Sequence, residues 1–274
     1  MHQNKLKYGI VQGRLTKSPN DQLQWFPQNQ WESEFYIANA IGLKYIELIA
    51  ERNHNPQNPI WDDEGIKKIK NLSMHNSLEC YSICNDYVID NGILGIEQKQ
   101  VIKQIYLFIE RAVLLNMRLL ILPLFEESEL NKDNFNDFIP IIKDFAEYVK
   151  EKGITICLET ILDGKNLSDF IDAVESPNVK CVFDTGNRIA YGHSIYSDIK
   201  LLGNKVGHVH IKDKNSDDCN VLLGDGLVNF YEVFKALSEI KYRGSYTFET
   251  NRGKNPIKTA NFNMNFCDYC YFEK

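Results

Sequence analysis

The chain has 274 residues, of which 43% are hydrophobic and 25% charged, and its net charge at pH 7 is −6. A chain of this length buries roughly 75% of its unfolded surface, so its core needs no disulfide or metal staple. The negative net charge argues against a nucleic-acid binder that works through bulk electrostatics.

Cysteine usage and the opening residues bear on the compartment. An odd count of seven cysteines, four of them in apolar runs (Cys80, Cys84, Cys157 and Cys181), predicts buried reduced thiols rather than a disulfide framework. The opening MHQNKLKYGI has no apolar stretch long enough for a signal peptide, and no run approaches membrane-spanning length. We therefore expect a cytoplasmic protein without a membrane segment.

Short apolar or β-branched runs recur along the chain, each followed by a longer segment with helical spacing. In chain order the runs are YGIVQG (8–13), KYIELI (44–49), LECYSIC (78–84), RLLILPL (118–124), ITICLE (154–159), VKCVFD (179–184), VGHVHI (206–211) and SYTFET (245–250). Helices are expected near 31–41, 62–76, 96–116, 134–152, 167–175, 194–203 and 228–240, with a weak one after Pro256.

The eight alternations average about 34 residues per unit, which is the size of a barrel repeat. Strict β–α alternation predicts a parallel sheet covered by helices, and eight units predict closure into a (β/α)₈ barrel. No linker or composition break divides the chain, so we expect a single domain over residues 1–274. A doubly wound open sheet is the alternative, but the first strand lacks the G-x-G-x-x-G turn that would support it.

Four consecutive runs in the second half end with a side chain that can bind a metal, spaced about one barrel unit apart. These residues are Glu159, Asp184, His210 and Glu249. Each follows an apolar residue, and adjacent side chains of a strand face opposite sides. If the apolar neighbours face the helices, the four polar groups face the barrel axis at the C-terminal mouth, where active sites of such barrels lie.

Any one polar strand end is more often an isolated cap than a ligand. Three carboxylates in one mouth, however, would repel one another and raise one another's pKa unless a cation lay among them. Together with an imidazole they form a mixed oxygen and nitrogen set, which suits Mn²⁺ or Mg²⁺, with Co²⁺ or Zn²⁺ as alternatives. We therefore predict one divalent ion, preferably Mn²⁺, bound by Glu159, Asp184, His210 and Glu249.

Three stretches resemble the xylose isomerase-like TIM barrels and, within them, the L-ribulose-5-phosphate 3-epimerase (L-xylulose-5-phosphate 3-epimerase) branch. They are FDTGN (183–187), HVHIKD (208–213) and the block 222–250. The resemblance implies that the four predicted ligands coordinate the metal and that Glu159 and Glu249 also serve as acid and base. Asn187 is similar to the sugar-phosphate branch, since ketohexose 3-epimerases usually carry His at that position.

The first loop and the tail depart from that branch. The opening GIVQGRLT, the Gln- and Asn-rich loop to about residue 30 and the segment after Asn251 all differ from it. These loops help shape the sugar pocket, so the resemblance leaves the substrate open between a sugar and a sugar phosphate. It also leaves open whether the chain forms a homo-oligomer.

Epimerisation next to a carbonyl removes a weakly acidic C–H proton and returns one from the opposite face. A metal on the carbonyl and hydroxyl oxygens stabilises the enediolate, and each positioned acid–base group typically contributes about 10²–10⁴-fold. Glu159 and Glu249 lie on strands that are not neighbours, so they are able to flank a substrate.

Several further residues are candidates for substrate binding, although for each of them a structural role is at least as common. A cation after a strand suits a hydroxyl or phosphate oxygen, although a solvated or ion-paired role is at least as common. A carboxylate or amide at a strand end is often only locally satisfied. The substrate-site candidates are Lys212, Arg14, Arg252, Asn187 and Glu47.

Other polar residues are expected to be structural. His208 is predicted to be a hydrogen-bonded core residue, and His54 to lie on the surface or in a lid. Gly224 and Gly226 are predicted to form a tight turn. The CxxC pair Cys267 and Cys270 is weak evidence for zinc without a second pair.

Rival functions share the same fold and much of the same chemistry. A sugar or inosose dehydratase would use the same proton abstraction and then expel a hydroxyl group, and an aldose–ketose isomerase would move the carbonyl. An endonuclease IV-type phosphodiesterase needs about three zinc ions and histidines at early strand ends, which ICNDY and LPLFEE lack. A non-catalytic sugar-binding barrel is disfavoured because both proposed acid–base glutamates are present.

Overall fold

The computed structural model describes residues 6–273 of the chain. The expected domain of 1–274, and the first residues of the segment used to exclude a signal peptide, extend beyond this range. The strands are β1 (Tyr8–Val11), β2 (Tyr45–Ala50), β3 (Ser82–Asn85), β4 (Leu119–Leu124), β5 (Thr155–Thr160), β6 (Val179–Asp184), β7 (Val206–Ile211), β8 (Asp213–Lys214), β9 (Asn220–Val221) and β10 (Tyr246–Phe248).

The α-helices lie between these strands and after the last of them. They are α1 (Trp31–Ile41), α2 (Asp63–His75), α3 (Tyr87–Asp90), α4 (Gln98–Leu114), α5 (Phe135–Val149), α6 (Gly164–Val174), α7 (Thr185–Ala190), α8 (Ile195–Leu202), α9 (Phe230–Glu239) and α10 (Pro256–Phe272).

Eight of the strands form a closed parallel barrel in the order β1-β10-β7-β6-β5-β4-β3-β2. Closure is made by β1, which pairs with β2 on one side and with β10 on the other. The predicted (β/α)₈ barrel is therefore confirmed. The two remaining strands, β8 and β9, form a small antiparallel hairpin directly after β7.

The barrel strands are short and buried on both faces, which explains why they read as apolar runs rather than as alternating patterns. Every residue of β2 and of β4 is buried. Polar side chains begin several of the surrounding helices: Asp62, Asp163 and Asn229 each accept a hydrogen bond from a backbone N–H of the first turn. These caps fix where each helix leaves its loop and so where the strand ends lie.

The sequence prediction differs from the structure mainly after the strands. The helix after Pro256 is a full element of 17 residues, capped by Asn255, and not a weak one. Its pattern is obscured because Asn263 is buried and donates to Thr250 Oγ1 at 2.9 Å. The short helices α3 and α7, which follow β3 and β6 directly, were not predicted.

The cysteine prediction agrees with the structure. All seven cysteines are free, and Cys84, Cys157, Cys181, Cys267 and Cys270 are buried. Cys80 is half-buried and Cys219 exposed. No helix within the described range is both long enough and apolar enough to cross a bilayer.

Candidate metal centre and active site

The four predicted ligands meet at the C-terminal mouth of the barrel. Glu159 is the last residue but one of β5, Asp184 ends β6, and Glu249 follows β10 directly. Strand register places Asp184 and Thr247 on either side of His210. One ligand atom from each of the four side chains lies within 4.8 Å of the others, and all four residues are buried. These residues are Glu159, Asp184, His210 and Glu249.

The donor atoms are arranged in a way that fits a cation. His210 Nδ1 lies 3.3 Å from Glu249 Oε2, 3.8 Å from Asp184 Oδ2 and 3.9 Å from Glu159 Oε2. Among the described residues, neither His210 Nδ1 nor Asp184 Oδ2 has a hydrogen-bond partner, although the Lys212 ammonium lies 3.1 Å from Asp184 Oδ2. Buried polar atoms are seldom left in this state, so their convergence points to a bound ion.

Glu47 on β2 sets the orientation of the histidine. Its Oε1 lies 3.0 Å from His210 Nε2, which leaves Nδ1 facing the carboxylates. Its Oε2 lies 3.0 Å from His208 Nε2 and accepts from Ser82 Oγ at 2.7 Å. Burial opposes ionisation of Glu47, but His210 and His208 outweigh it and hold the pKa of this carboxyl below its usual value. These contacts favour a ring-orienting role over the predicted substrate contact.

The two glutamates proposed as acid and base occupy different electrostatic environments. Burial raises the pKa of Glu159 to about 8, with His210 opposing the shift and Glu249 and Asp184 reinforcing it. Burial also acts on Glu249, but Lys212, His210 and Arg14 outweigh it and hold its pKa well below the usual value. Two carboxyl groups of one mouth thus differ in their affinity for a proton, as acid–base pairs require.

Lys212 is placed inside the centre and not on the surface. Its ammonium lies 2.8 Å from Glu249 Oε2 and 3.1 Å from Asp184 Oδ2. Burial would lower the pKa of Lys212, but Asp184, Glu249 and Glu159 raise it, so the side chain stays charged. Lys212 therefore offsets part of the negative charge of the carboxylates.

Asn187 contacts two of the ligands from the first turn of α7. Its backbone N–H donates to Asp184 Oδ1 at 2.6 Å, and its side-chain amide donates to Glu159 Oε1 at 3.0 Å. The Asn187 side chain also lines the cavity beside the metal centre. It is therefore able both to hold Glu159 in place and to meet a substrate.

The first loop, residues 12–30, reaches the centre through a residue that the sequence did not single out. Gln24 donates from Nε2 to Glu249 Oε1 at 3.1 Å and accepts at Oε1 from Arg14 at 2.7 Å. The Arg14 guanidinium itself lies 3.7 Å from Glu249 Oε1. Arg14 thus lies next to Glu249, whereas nothing in the sequence pattern distinguishes Gln24 from the other glutamines nearby.

Arg252 holds the first loop rather than pointing into the centre. It donates from Nε to Gly13 O at 2.7 Å, and from its two terminal nitrogens to Gln22 O at 2.8 Å and Leu23 O at 3.1 Å. This arrangement favours a structural role over the predicted substrate contact. A second tie comes from buried Glu34 of α1, which accepts from the backbone N–H groups of Gly13 and Leu15 and from Thr16 Oγ1.

An inner cavity of about 150 Å³ lies beside the metal centre. Its lining includes three of the proposed ligands, together with Lys212 and Asn187. It adjoins a larger cavity of about 440 Å³, the outer chamber, with which it shares Gln24, Arg52 and Asp86. A small polyhydroxylated molecule has room to bind here with one end next to the ligands.

The remaining polar residues largely follow expectation. His208 is fully buried beside the rings of Tyr45 and Tyr81, and His54 is exposed against Trp61. Gly224 has φ 92°, which a tight turn requires of glycine.

Gly226 differs from the turn prediction. A Cβ at this position would lie 2.2 Å from Asp213 Oδ1, so close approach rather than turn geometry explains the glycine. The pair Cys267 and Cys270 is buried, and within residues 6–273 no third ligand joins it in a metal-binding group.

The structure gives no sign of a three-metal site. In the described part of the chain, two groups of three or more potential ligands are close enough to share an ion, and both contain His210. Strand β3 ends at Asn85 and β4 at Leu124, without a histidine. The endonuclease-type alternative therefore gains no support.

The chain belongs to the xylose isomerase-like TIM barrel family, whose profile matches residues 35–269. It is 29% identical to the L-ribulose 3-epimerase of Methylomonas sp. (strain DH-1) over 128 residues, 44% of this chain and 43% of that protein. It is 22% identical to a putative L-ribulose-5-phosphate 3-epimerase of Haemophilus influenzae over an alignment of 285 positions, which covers 92% of each protein. It is also 23% identical to the inosose dehydratase of Bacillus thuringiensis over 164 residues, 50% of this chain and 53% of that protein.

The chain spans less than half the length of several curated relatives that it matches, namely 47%, 43% and 29% of three of them. Solved structures match over nearly the full length. The D-allulose 3-epimerase of Methylomonas sp. superposes with a TM-score of 0.76 at 19% identity, covering 97% of this chain and 98% of that one. The IOLI protein with a bound zinc atom gives 0.75 at 16% identity, covering 98% and 97%. These likenesses show a shared fold.

Proposed function

We propose that the chain is a divalent-metal-dependent sugar epimerase that inverts a carbon next to the carbonyl of a sugar or sugar phosphate through an enediolate. The observation that carries this proposal is the meeting of four ligand atoms within 4.8 Å at the barrel mouth. Two of them belong to Glu159 and Glu249, which are separated in the barrel by β6 and β7. Relatives named as ribulose 3-epimerases support the same class.

Glu159, Asp184, His210 and Glu249 would hold the ion. When bound, a divalent ion supplies Lewis acidity at the carbonyl and neighbouring hydroxyl oxygens. The oxygen-rich ligand set favours Mn²⁺, with Mg²⁺, Co²⁺ and Zn²⁺ as alternatives. A zinc atom in the similar IOLI structure supports an ion in a barrel of this kind.

The chain's own residues divide the remaining work. Glu159 and Glu249 exchange protons with the two faces of the reacting carbon. Asn187 holds Glu159 through its amide, and Gln24 holds Glu249 from the other side of the mouth. Lys212 and Arg14 keep positive charge next to Glu249, and in this proposal they contact substrate oxygens.

Deuterium incorporation tests the reaction directly. Candidate ketoses incubated with the Mn²⁺-loaded protein in D₂O are expected to gain one solvent deuterium at the inverted carbon, which NMR detects. Glu159→Gln and Glu249→Gln are each expected to lower the rate by at least about 10²-fold while the circular dichroism spectrum persists. Glu147→Gln, at an exposed ion pair, is the matched control. A near-normal rate in either active-site variant would overturn the acid–base assignment.

A dehydratase is the second candidate, favoured by the similarity to inosose dehydratase. It would abstract the same proton and then expel a hydroxyl group, giving a product that has lost water. An aldose–ketose isomerase would move the carbonyl and produce an aldose. The NMR spectra of the same incubations separate all three outcomes.

A further inference from the structure

We propose that this site takes an unphosphorylated sugar, whose far end lies in the outer chamber among groups suited to neutral hydroxyls. This inference rests on the proposed function and narrows its substrate class. It is carried by the lining of the outer chamber, by the ion pairs of the cations that line this chamber and the inner cavity, and by backbone N–H groups that already donate to a buried carboxylate.

The outer chamber is lined mainly by amide and aromatic side chains. The polar ones include Gln22, Gln28, Asn53 and Asn55, whose amides both donate and accept hydrogen bonds as hydroxyl groups do. Trp25 is half-buried in the same wall and offers an apolar face to C–H groups. Such a lining is typical of a site for a neutral polyol.

The charge around this chamber opposes an anion. Of the described residues that line it, Arg52 is the only cation, and it is already paired with Asp90 at 2.7 Å and with Glu126 at 2.5 Å. Glu51 lines the same chamber, and its carboxylate accepts from the amides of Asn55 and Asn58 at 2.7 Å each. Two carboxylates pair with the single guanidinium and a third, Glu51, lies in the chamber wall, so a phosphate dianion would meet net negative charge.

The backbone groups that commonly bind phosphate in such barrels are occupied by the chain itself. Loops after the seventh and eighth strands frequently hold a phosphate through backbone N–H groups. Here fully buried Asp213, two residues after β7, takes those donors: Oδ2 accepts from Gly224 and Gly226 at 3.0 Å each, and Oδ1 from Val228 at 3.1 Å. These three backbone N–H groups after the seventh barrel strand therefore already have an anionic acceptor and are not free to bind a phosphate.

Two arginines near the mouth also have partners. Arg252 donates to three carbonyl groups of the first loop, and Arg14 is paired with Gln24 and Glu249. The exposed Lys17 and Lys254 line a separate cleft, which shares no lining residue with the inner cavity. Among the described residues that line the inner cavity and the outer chamber, no cationic side chain is therefore left without an ion pair to meet a phosphate at the far end of a bound sugar.

Paired ligands test the proposal on the full Mn²⁺-loaded chain. Ligand-observed NMR is used to measure the affinity of several free pentuloses and hexuloses and of their terminal phosphate esters, alongside deuterium exchange. The free ketose is expected to bind at least about tenfold more tightly than its ester. Equal or tighter binding of the ester, or no binding of any free ketose, overturns the inference. Selective binding of the free ketose without exchange leaves it standing and instead contradicts the proposed epimerase.

A charge-neutralisation test uses the two carboxylates that pair with Arg52. The double variant Asp90→Asn/Glu126→Gln removes two negative charges and releases the guanidinium. We expect the ester-to-ketose affinity ratio to rise by at least about tenfold. Asp63→Asn, which ends the exposed ion pair with Arg111, is the matched control and is expected to leave the ratio unchanged. A ratio that does not move in the double variant contradicts the charge argument.

Discussion

Single residues behind the metal centre determine how its ligands are presented. Glu47 contacts two histidines and a serine through its two oxygens, and one of those histidines is the proposed ligand His210. A group that fixes the far nitrogen of a ligand imidazole also fixes its tautomer and ring angle. The candidate metal centre therefore extends one layer deeper than its four proposed ligands.

Glu47→Gln is expected to weaken Mn²⁺ binding by about 10–100-fold, because the neutral amide removes the negative charge that lies 3.0 Å from both His208 Nε2 and His210 Nε2. Titration followed by the electron paramagnetic resonance of free Mn²⁺ measures the change. Glu79→Gln, at an exposed ion pair, serves as the control. An unchanged affinity in Glu47→Gln would mean that His210 is oriented by other contacts.

At this scale the sequence predicted residues that recur in a regular pattern and missed one that does not. Glu159, Asp184, His210 and Glu249 stood out because they end four consecutive apolar runs about one barrel unit apart. Gln24 did not, since its role depends on how a long loop folds back over the barrel. Arg252 was visible as a cation after a strand, but only the fold shows that backbone carbonyls surround it.

Among the elements, the first loop differs from the family resemblance, yet side chains from two other elements hold it through several hydrogen bonds. Arg252 holds it from the segment after β10, and Glu34 holds it from α1. These contacts hold the loop from the elements that follow β1 and β10, and they position Gln24 to donate to Glu249. The loop is therefore built as a fixed wall of the site.

Arg252→Lys keeps the charge but cannot donate to three carbonyls in one plane. We expect the first loop to loosen, with limited proteolysis between residues 17 and 24 accelerated severalfold and Glu249-dependent turnover reduced. Mass spectrometry of the fragments locates the cleavage, and Arg243→Lys at an exposed position is the comparison. Cleavage at the same rate in both variants would show that Arg252 does not hold the loop.

For the whole molecule, the alternation of apolar runs and helical segments was enough to predict the barrel, because eight such units have few other ways to bury their sheet. The hairpin β8–β9 and the helices α3 and α7 were not predicted, since each is too short to show a period. The full length of α10 was hidden by its buried asparagine. The long-period pattern thus predicted the barrel and its four proposed ligands, whereas the short elements between the strands were seen only in the structure.

Removal of the ion is expected to lower the stability of the entire barrel. A ligand at 100 times its dissociation constant stabilises the folded state by about 2.7 kcal/mol, which corresponds to roughly 5–10 °C in Tm for a chain of this size. Calorimetry with Mn²⁺ and with EDTA measures the difference. Asp184→Asn is expected to unfold at nearly the same temperature in both conditions, and a large EDTA effect in that variant would place the ion elsewhere.

The pairing of β1 with β10 also has a consequence during synthesis. Tyr8 pairs with Tyr246, so about 240 residues separate partners in the same sheet. At roughly 5–20 residues per second, the ribosome needs about 10–50 s to deliver the second of them. For that time one edge of the first strand exposes backbone groups that attract other chains. A nascent chain of this topology therefore keeps an unpaired sheet edge until translation has passed its last strand.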